Sequence, residues 1–276
     1  VIGEGLESIL NICGGRSKKG LVFYPFLLSA QEIPIPDREI LYSNYPALKN
    51  NKIKNVMASC GCPYTCPYCF NDVYKRFYGE NFKIRQRTIE DVIEECKQIK
   101  QNYPLELIFF QDDAFGFNLY WLEEFTQRYS KEINLPFHCQ IRPEMITKER
   151  LNLFKKAGCH GVTMAIETYN DKVRYELLNR PMSLDTIKKA GQLIKEYGFK
   201  LRIEQMLGLP DTVFDDEIDL LRLNINIQAD VAWSSIFVPY LGTTLGDYCQ
   251  KKGLYDGNND DIEDNFFGDS RLKFDK

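Results

Sequence analysis

From Ile53 onward, short apolar runs alternate with longer stretches whose apolar residues recur every three or four positions. That alternation predicts a strand followed by a helix, repeated along the chain. Residues 53–58, 105–110, 137–141, 161–166, 199–207 and 231–238 read as strands. Thr88 opens a helix with a capping-box-like start, and Ile89, Val92, Ile93, Cys96 and Ile99 keep helical spacing within it. Further helices are expected near residues 119–129, 147–157, 183–197 and 214–228. Strands this apolar suit burial on both faces, and six strands each followed by a helix-length connection argue for a parallel α/β sheet with helices outside. An open doubly wound sheet and a partial barrel both satisfy the pattern. No glycine-rich phosphate-binding fingerprint follows the first strand, which favours a barrel-like closure.

The flanks differ from this core. Residues 1–14 read as a strand end, a glycine turn and a short helix closed by Gly14 and Gly15. A basic turn at 16–20 and an apolar run at 21–24 follow. Pro25, Pro34, Pro36 and Pro46 then exclude a continuous helix, so this stretch reads as an extended connector. Residues 256–264 are acidic enough for a solvated tail. The expected organisation is a tail and linker over 1–50, a core over 51–245 and an extension over 246–276. The chain starts with Val, which suggests an N-terminal part upstream.

Composition narrows the function classes. A formal net charge of −4 gives no general attraction to nucleic acid or an anionic membrane. No apolar run is long enough to span a bilayer and no secretory signal is visible. The nine cysteines are odd in number and imply no disulfide framework, so a reducing cytoplasm is the expected compartment. Cys13, Cys96, Cys139, Cys159 and Cys249 are scattered and read as core thiols.

The other four cysteines crowd into residues 59–70, where Cys62, Cys66 and Cys69 have the spacing C-x3-C-x2-C with Tyr68 before the last. A four-thiolate zinc site including Cys60 is one reading, although Cys60 and Cys62 are tightly spaced for one ion and no second pair lies nearby. A ferredoxin-type electron carrier is another. An iron–sulfur cube held by three thiolates leaves one iron open to an outside ligand. In parallel barrels chemistry gathers at the carboxyl ends of the strands. Those ends carry Gln111-Asp112-Asp113, Gln140-Ile141-Arg142, Glu167-Thr168, Glu204-Gln205 and Pro239-Tyr240-Leu241-Gly242-Thr243. Carboxylates, a cation and apolar walls are what a zwitterionic, ribose-bearing cofactor needs.

The cysteine spacing with its aromatic residue resembles the signature of the radical S-adenosylmethionine (SAM) superfamily, and the likeness runs from Ile53 to about Leu245. It implies a six-stranded parallel partial (β/α)6 barrel, a [4Fe–4S] cluster on Cys62, Cys66 and Cys69, and SAM at the fourth iron. Tyr68 would meet the adenine. Asp112 or Asp113 stands where many members have Gly-Gly-Glu, the segment that holds the methionyl ammonium. Ala165-Ile166-Glu167-Thr168 resembles a Gly-x-Glu-Ser strand end, and Arg180 resembles the basic residue after it. Gly208-Leu209-Pro210 and the segment from Pro239 resemble later turns. The cofactor-binding set is therefore expected to be Tyr68, Asp112, Asp113, Arg142, Glu167, Arg180, Glu204, Gln205 and Pro239.

One subgroup matches further. Residues 1–5 resemble the last strand and turn of a cobalamin-binding domain, and Ile33-Pro34-Ile35-Pro36-Asp37-Arg38 resembles the linker that follows it in B12-binding members. This resemblance implies reductive SAM cleavage to a 5′-deoxyadenosyl radical, cobalamin as a further cofactor, and methyl transfer to an unactivated carbon of a small molecule. A reductant such as flavodoxin or ferredoxin is the implied partner. A radical cyclase or rearrangement enzyme, and a zinc or iron–sulfur electron-transfer module, are the alternatives.

Overall fold

A computed structural model describes residues 2–3, 23–24, 29–258 and 265–274. The expected helix within 1–14, Cys13, the basic turn at 16–20, Pro25 and residues 259–264 lie outside the described residues. Two short strands, β1 (Ile2–Gly3) and β2 (Phe23–Tyr24), pair in parallel. The connector is less extended than its prolines suggest. It holds short helices at Glu39–Tyr42 and Pro46–Asn50, and Pro46 fits because the first helical residue needs no N–H partner.

The main sheet has six parallel strands: β3 (Ile53–Val56), β6 (Leu107–Phe110), β7 (Phe137–Ile141), β8 (Cys159–Glu167), β9 (Lys200–Leu207) and β10 (Val231–Ile236). Their spatial order equals their chain order, and the curled sheet is the partial barrel expected. Helices Ile89–Asn102, Leu119–Glu132, Lys148–Ala157, Leu184–Glu196 and Phe214–Asn226 alternate with the strands. Thr88, Asn118, Thr147 and Ser183 cap the first four by accepting from backbone N–H groups three residues on. Each strand sends one row of side chains outward to these helices. Ile108, Phe110, Phe137, Cys139, Val162, Met164, Leu201 and Ile203 are all fully buried there. Phe110, Phe115, Phe125, Tyr129 and Phe137 cluster in that layer, most pairs edge-on or tilted and Phe125 stacked on Tyr129.

Several elements near the site escaped the sequence pattern. The approach to the cysteine loop, β4 (Ser59–Cys60), pairs antiparallel with β5 (Arg85–Gln86). A helix at Phe70–Tyr78 leaves the loop, with Cys69 as its N-cap. A π-helical turn, Val173–Leu177, follows β8. Cys96, Cys139 and Cys249 are buried thiols as expected, whereas Cys159 is half-buried.

Candidate active site

The cysteine loop crosses the carboxyl ends of the strands, held at several points. Asp112, just after β6, accepts from the Ala58 N–H at 3.0 Å and the Ser59 hydroxyl at 2.5 Å, fixing where the chain leaves β3. Lys75 donates to the Tyr64 carbonyl, Asn179 to the Thr65 carbonyl, and the Leu245 N–H to the Pro67 carbonyl. A loop tied this way arrives at one geometry because its backbone groups find partners in three different elements.

Beneath it lies a cavity of about 250 Å³. Its walls include Cys62, Cys66, Tyr68, Cys69, Asp113, Arg142, Glu167, Arg180 and Glu204. The loop, β7, β8 and β9 each contribute, although these residues are scattered over more than 140 positions of sequence. Glu167 reaches the cavity through an irregularity. The β8–β9 register shifts between Ala165 and Glu167, and Glu167 takes a left-handed φ of 66°, unusual for a residue with a side chain.

The polar groups form one network. The Tyr68 hydroxyl donates to Glu167 Oε1 at 2.7 Å, and Arg180 Nη1 lies 3.2 Å from both oxygens. Arg180 also donates to the Ala165 carbonyl. Burial works against the Arg180 charge, but Tyr68, Glu167 and Cys66 outweigh it and hold its pKa above the ordinary value. Burial likewise drives the Tyr68 hydroxyl far above the usual range. Arg142 and Arg180 each aim an N–H at Cys66 Sγ, at 3.5 and 3.9 Å, and Arg142 stacks on the Tyr64 ring. Asn71 donates to Cys69 Sγ through its backbone at 3.5 Å and its side chain at 3.7 Å, and its amide also reaches Asp113. As free thiols Cys62 and Cys69 would be protonated, since burial raises both and takes Cys69 to about 11. A bound metal reverses that preference by taking the thiolate.

Three expected cofactor residues are not brought to the cavity. Asp112 turns under the loop and is buried with Ala58 and Ser59; burial raises its pKa to about 6. Gln205 points to the helix layer, bonded to Ser234 Oγ at 2.8 Å and Asn224 Nδ2 at 2.7 Å, because it alternates with the inward-facing Glu204. Pro239 stands in the turn after β10 and does not line the wall. Asn71 and Thr163, which the sequence does not single out, line it as well, as does Gln140, placed at a strand end by the sequence but outside the expected cofactor set. Strand alternation marks Gln140 and Thr163 as inward; nothing in the sequence marks Asn71.

Among the described residues, no three His, Cys, Asp or Glu side chains converge as ligands of a single ion would, and no helix is long and apolar enough to cross a membrane.

The chain has relatives of known sequence and known fold. A protein from Pyrococcus horikoshii described as an uncharacterized methyltransferase is 25% identical over 235 residues, covering 83% of this chain and 49% of its own length. The chain thus spans about half the length of this curated relative. Among solved structures, the radical SAM methyltransferase TsrM from Kitasatospora setae, with cobalamin and a [4Fe-4S] cluster bound, superposes with a TM-score of 0.63 at 15% identity, over 76% of this chain and 41% of that one. The cobalamin-dependent SAM radical enzyme OxsB gives 0.63 at 15% identity, over 98% of this chain and 47% of its own. At these identities the two structures show the shared fold. The family model of the radical SAM superfamily matches residues 56–223, which span the cysteine loop and the four sheet strands β6 to β9. The chain belongs to the radical SAM superfamily, an enzyme family that uses a [4Fe–4S] cluster and SAM.

Proposed function

We propose that Cys62, Cys66 and Cys69 hold the [4Fe–4S] cluster and that the cavity beneath them binds SAM. The cluster and SAM, when bound, supply reductive cleavage of SAM and a 5′-deoxyadenosyl radical. The observation that carries this reading is the meeting of three loop cysteines with a partly unsatisfied charged wall. Arg142 Nε and Arg180 Nε are buried without hydrogen-bond partners, as expected of groups that await an anionic ligand. The N–H groups aimed at Cys66 and Cys69 suit thiolates rather than thiols.

Each wall residue then has a task. Asp113, oriented by Asn71, accepts from the methionyl ammonium, since Asp112 is committed to the loop. Arg142 or Arg180 pairs with the SAM carboxylate. Tyr68 contributes its backbone beside the adenine, and Glu167 and Glu204 accept from the ribose hydroxyls or amino group. The Tyr68–Glu167–Arg180 network holds the Glu167 carboxylate in one orientation.

For the overall reaction we propose B12-dependent methyl transfer to an unactivated carbon of a small molecule. The relative from Pyrococcus horikoshii and the two cobalamin-linked structures support it. Residues 1–50 would be the tail and linker of a cobalamin-binding domain, 51–245 the catalytic barrel and 246–276 an extension of it. A flavodoxin or ferredoxin would supply the electron. The test is to incubate the full-length gene product anaerobically with cobalamin, reductant and SAM labelled in its methyl group. Label recovered in protein-bound cobalamin is the expected result. 5′-Deoxyadenosine formation with no label in cobalamin or product would point to the cyclase class instead.

A further inference from the structure

Beside Glu204, on the inner face of the last two strands, stand Arg202 and Trp233, which the proposed SAM site does not use. Arg202 and Glu204 lie on the inward row of β9, alternating with the fully buried Leu201 and Ile203 of the helix side. Trp233 of β10 is registered with Glu204, so it faces the same way. The Arg202 guanidinium lies over the Trp233 ring, 4.6 Å from its centre, and its Nη2 is 3.1 Å from Glu204 Oε1. Its Nε is buried and has no hydrogen-bond partner. The floor behind is neutral and already satisfied: Gln140 donates to Gln111, Gln111 to Asn55, and His138 pairs with Thr163 at 2.7 Å. Burial and then the Arg202 charge lower the His138 pKa to about 4, which leaves that ring neutral.

A guanidinium pinned by stacking is pre-organised, so little freedom is lost when its remaining donors are used. Its one carboxylate partner, Glu204, also lines the SAM cavity, so the arginine stands where a molecule beside SAM would be gripped. Trp233 is 39% exposed and offers that molecule an apolar wall.

We propose that Arg202, braced by Trp233, is the anchor for an oxyanion group of the substrate, a carboxylate or a phosphate on a small molecule lying beside SAM. This rests on the SAM reading only in calling the ligand a substrate. The anchoring leaves Glu204 free to turn toward the SAM side of the cavity.

The chain has two tryptophans, so a fluorescence change on ligand addition is assigned by comparison with Trp233→Phe, which keeps only Trp121. The anaerobically reconstituted protein is titrated with benzoate, phenyl phosphate and uncharged benzamide at constant ionic strength. A saturable change with one or both anions and none with benzamide is expected, and the tighter anion names the group. Arg202→Gln should weaken binding about tenfold, with Arg202→Lys in between because it keeps charge but loses the fork. Trp233→Phe should remove the signal. Equal response to benzamide, or affinity unchanged in both Arg202 variants, would overturn the proposal; if Arg202→Gln does not fold, Arg202→Lys decides. Release of 5′-deoxyadenosine by the wild-type protein is scored separately. Probe binding without that release sinks the SAM reading and leaves the anion site standing; release without probe binding does the reverse.

Discussion

Asp112 and Asp113 are the same residue type, one position apart, at the end of the same strand, and they do opposite work. Asp112 is 1% exposed and spends both oxygens on Ala58 and Ser59, so it belongs to the scaffold of the loop. Asp113 faces the cavity and has one side-chain partner, the Asn71 amide. Glu204 and Gln205 repeat the contrast on β9, one facing the cavity and the other bonded to Asn224 of the helix layer. Chemical type alone therefore does not identify a site residue on a strand end. The face it is turned to, and whether its hydrogen-bonding capacity is already used, decide the matter.

The largest separation between the two classes is expected at the aspartates. If Asp113 holds the SAM ammonium as proposed, Asp113→Ala should cost about 1.5–3 kcal/mol of binding, roughly ten- to a hundredfold in SAM affinity, with folding stability nearly unchanged. Equilibrium binding of SAM to the reconstituted protein checks it. Asp112→Ala should show the reverse, losing about 1–3 kcal/mol of stability by stranding two buried donors, and retaining less iron. If the two variants exchanged phenotypes, the assignment of the ammonium partner would fall.

Arg174 tests how far the scaffold reaches. It is fully buried in the π-helical turn and donates to the carbonyls of Thr168, Tyr169 and Met182, while its own carbonyl accepts from the Arg180 N–H. It thus ties together the two ends of the connection that carries Glu167 and Arg180. Arg174→Met should lower stability by about 1.5–3 kcal/mol for each charged bond lost, and raise the KM for SAM more than it lowers kcat. A loss of stability with KM unchanged would confine Arg174 to folding.

Burial holds the Asp112 carboxyl near 6 against an ordinary 3.8, so the unfolded chain releases this proton first as pH rises. The stability contribution of this group is complete below about pH 4 and is lost as pH climbs through 6. Asp112→Asn should flatten that part of the stability profile, measured by denaturant unfolding between those limits. The smallest effect is expected from Gln205→Ala, about 1 kcal/mol of stability for its bonds to Ser234 and Asn224, with SAM affinity unchanged.

Six strands and most of the helices were legible because apolar periodicity records burial directly, whereas periodicity alone left an open sheet and a partial barrel both standing. The cysteine loop was legible because its spacing carries chemistry. The orientation of individual strand-end residues was partly hidden. Simple alternation separates Glu204 from Gln205, but the register shift before Glu167 leaves no mark in hydrophobicity. The helix Phe70–Tyr78 was hidden by its own function, since its cap is Cys69, a residue with no ordinary capping preference. Arg174 has no sequence signal, because an arginine buried among carbonyls looks the same in sequence as one in water.

The central claim is that Cys62, Cys66 and Cys69 turn this barrel into a SAM-cleaving centre. The most direct measurement is anaerobic reconstitution with iron and sulfide, followed by reduction in the presence of SAM, with Cys62→Ala treated in parallel. The account predicts about four irons per chain and release of 5′-deoxyadenosine and methionine from the wild-type protein, both lost in the variant. A colourless zinc-binding protein, or a Cys62→Ala variant that keeps its iron, sulfide and 5′-deoxyadenosine release, would contradict it.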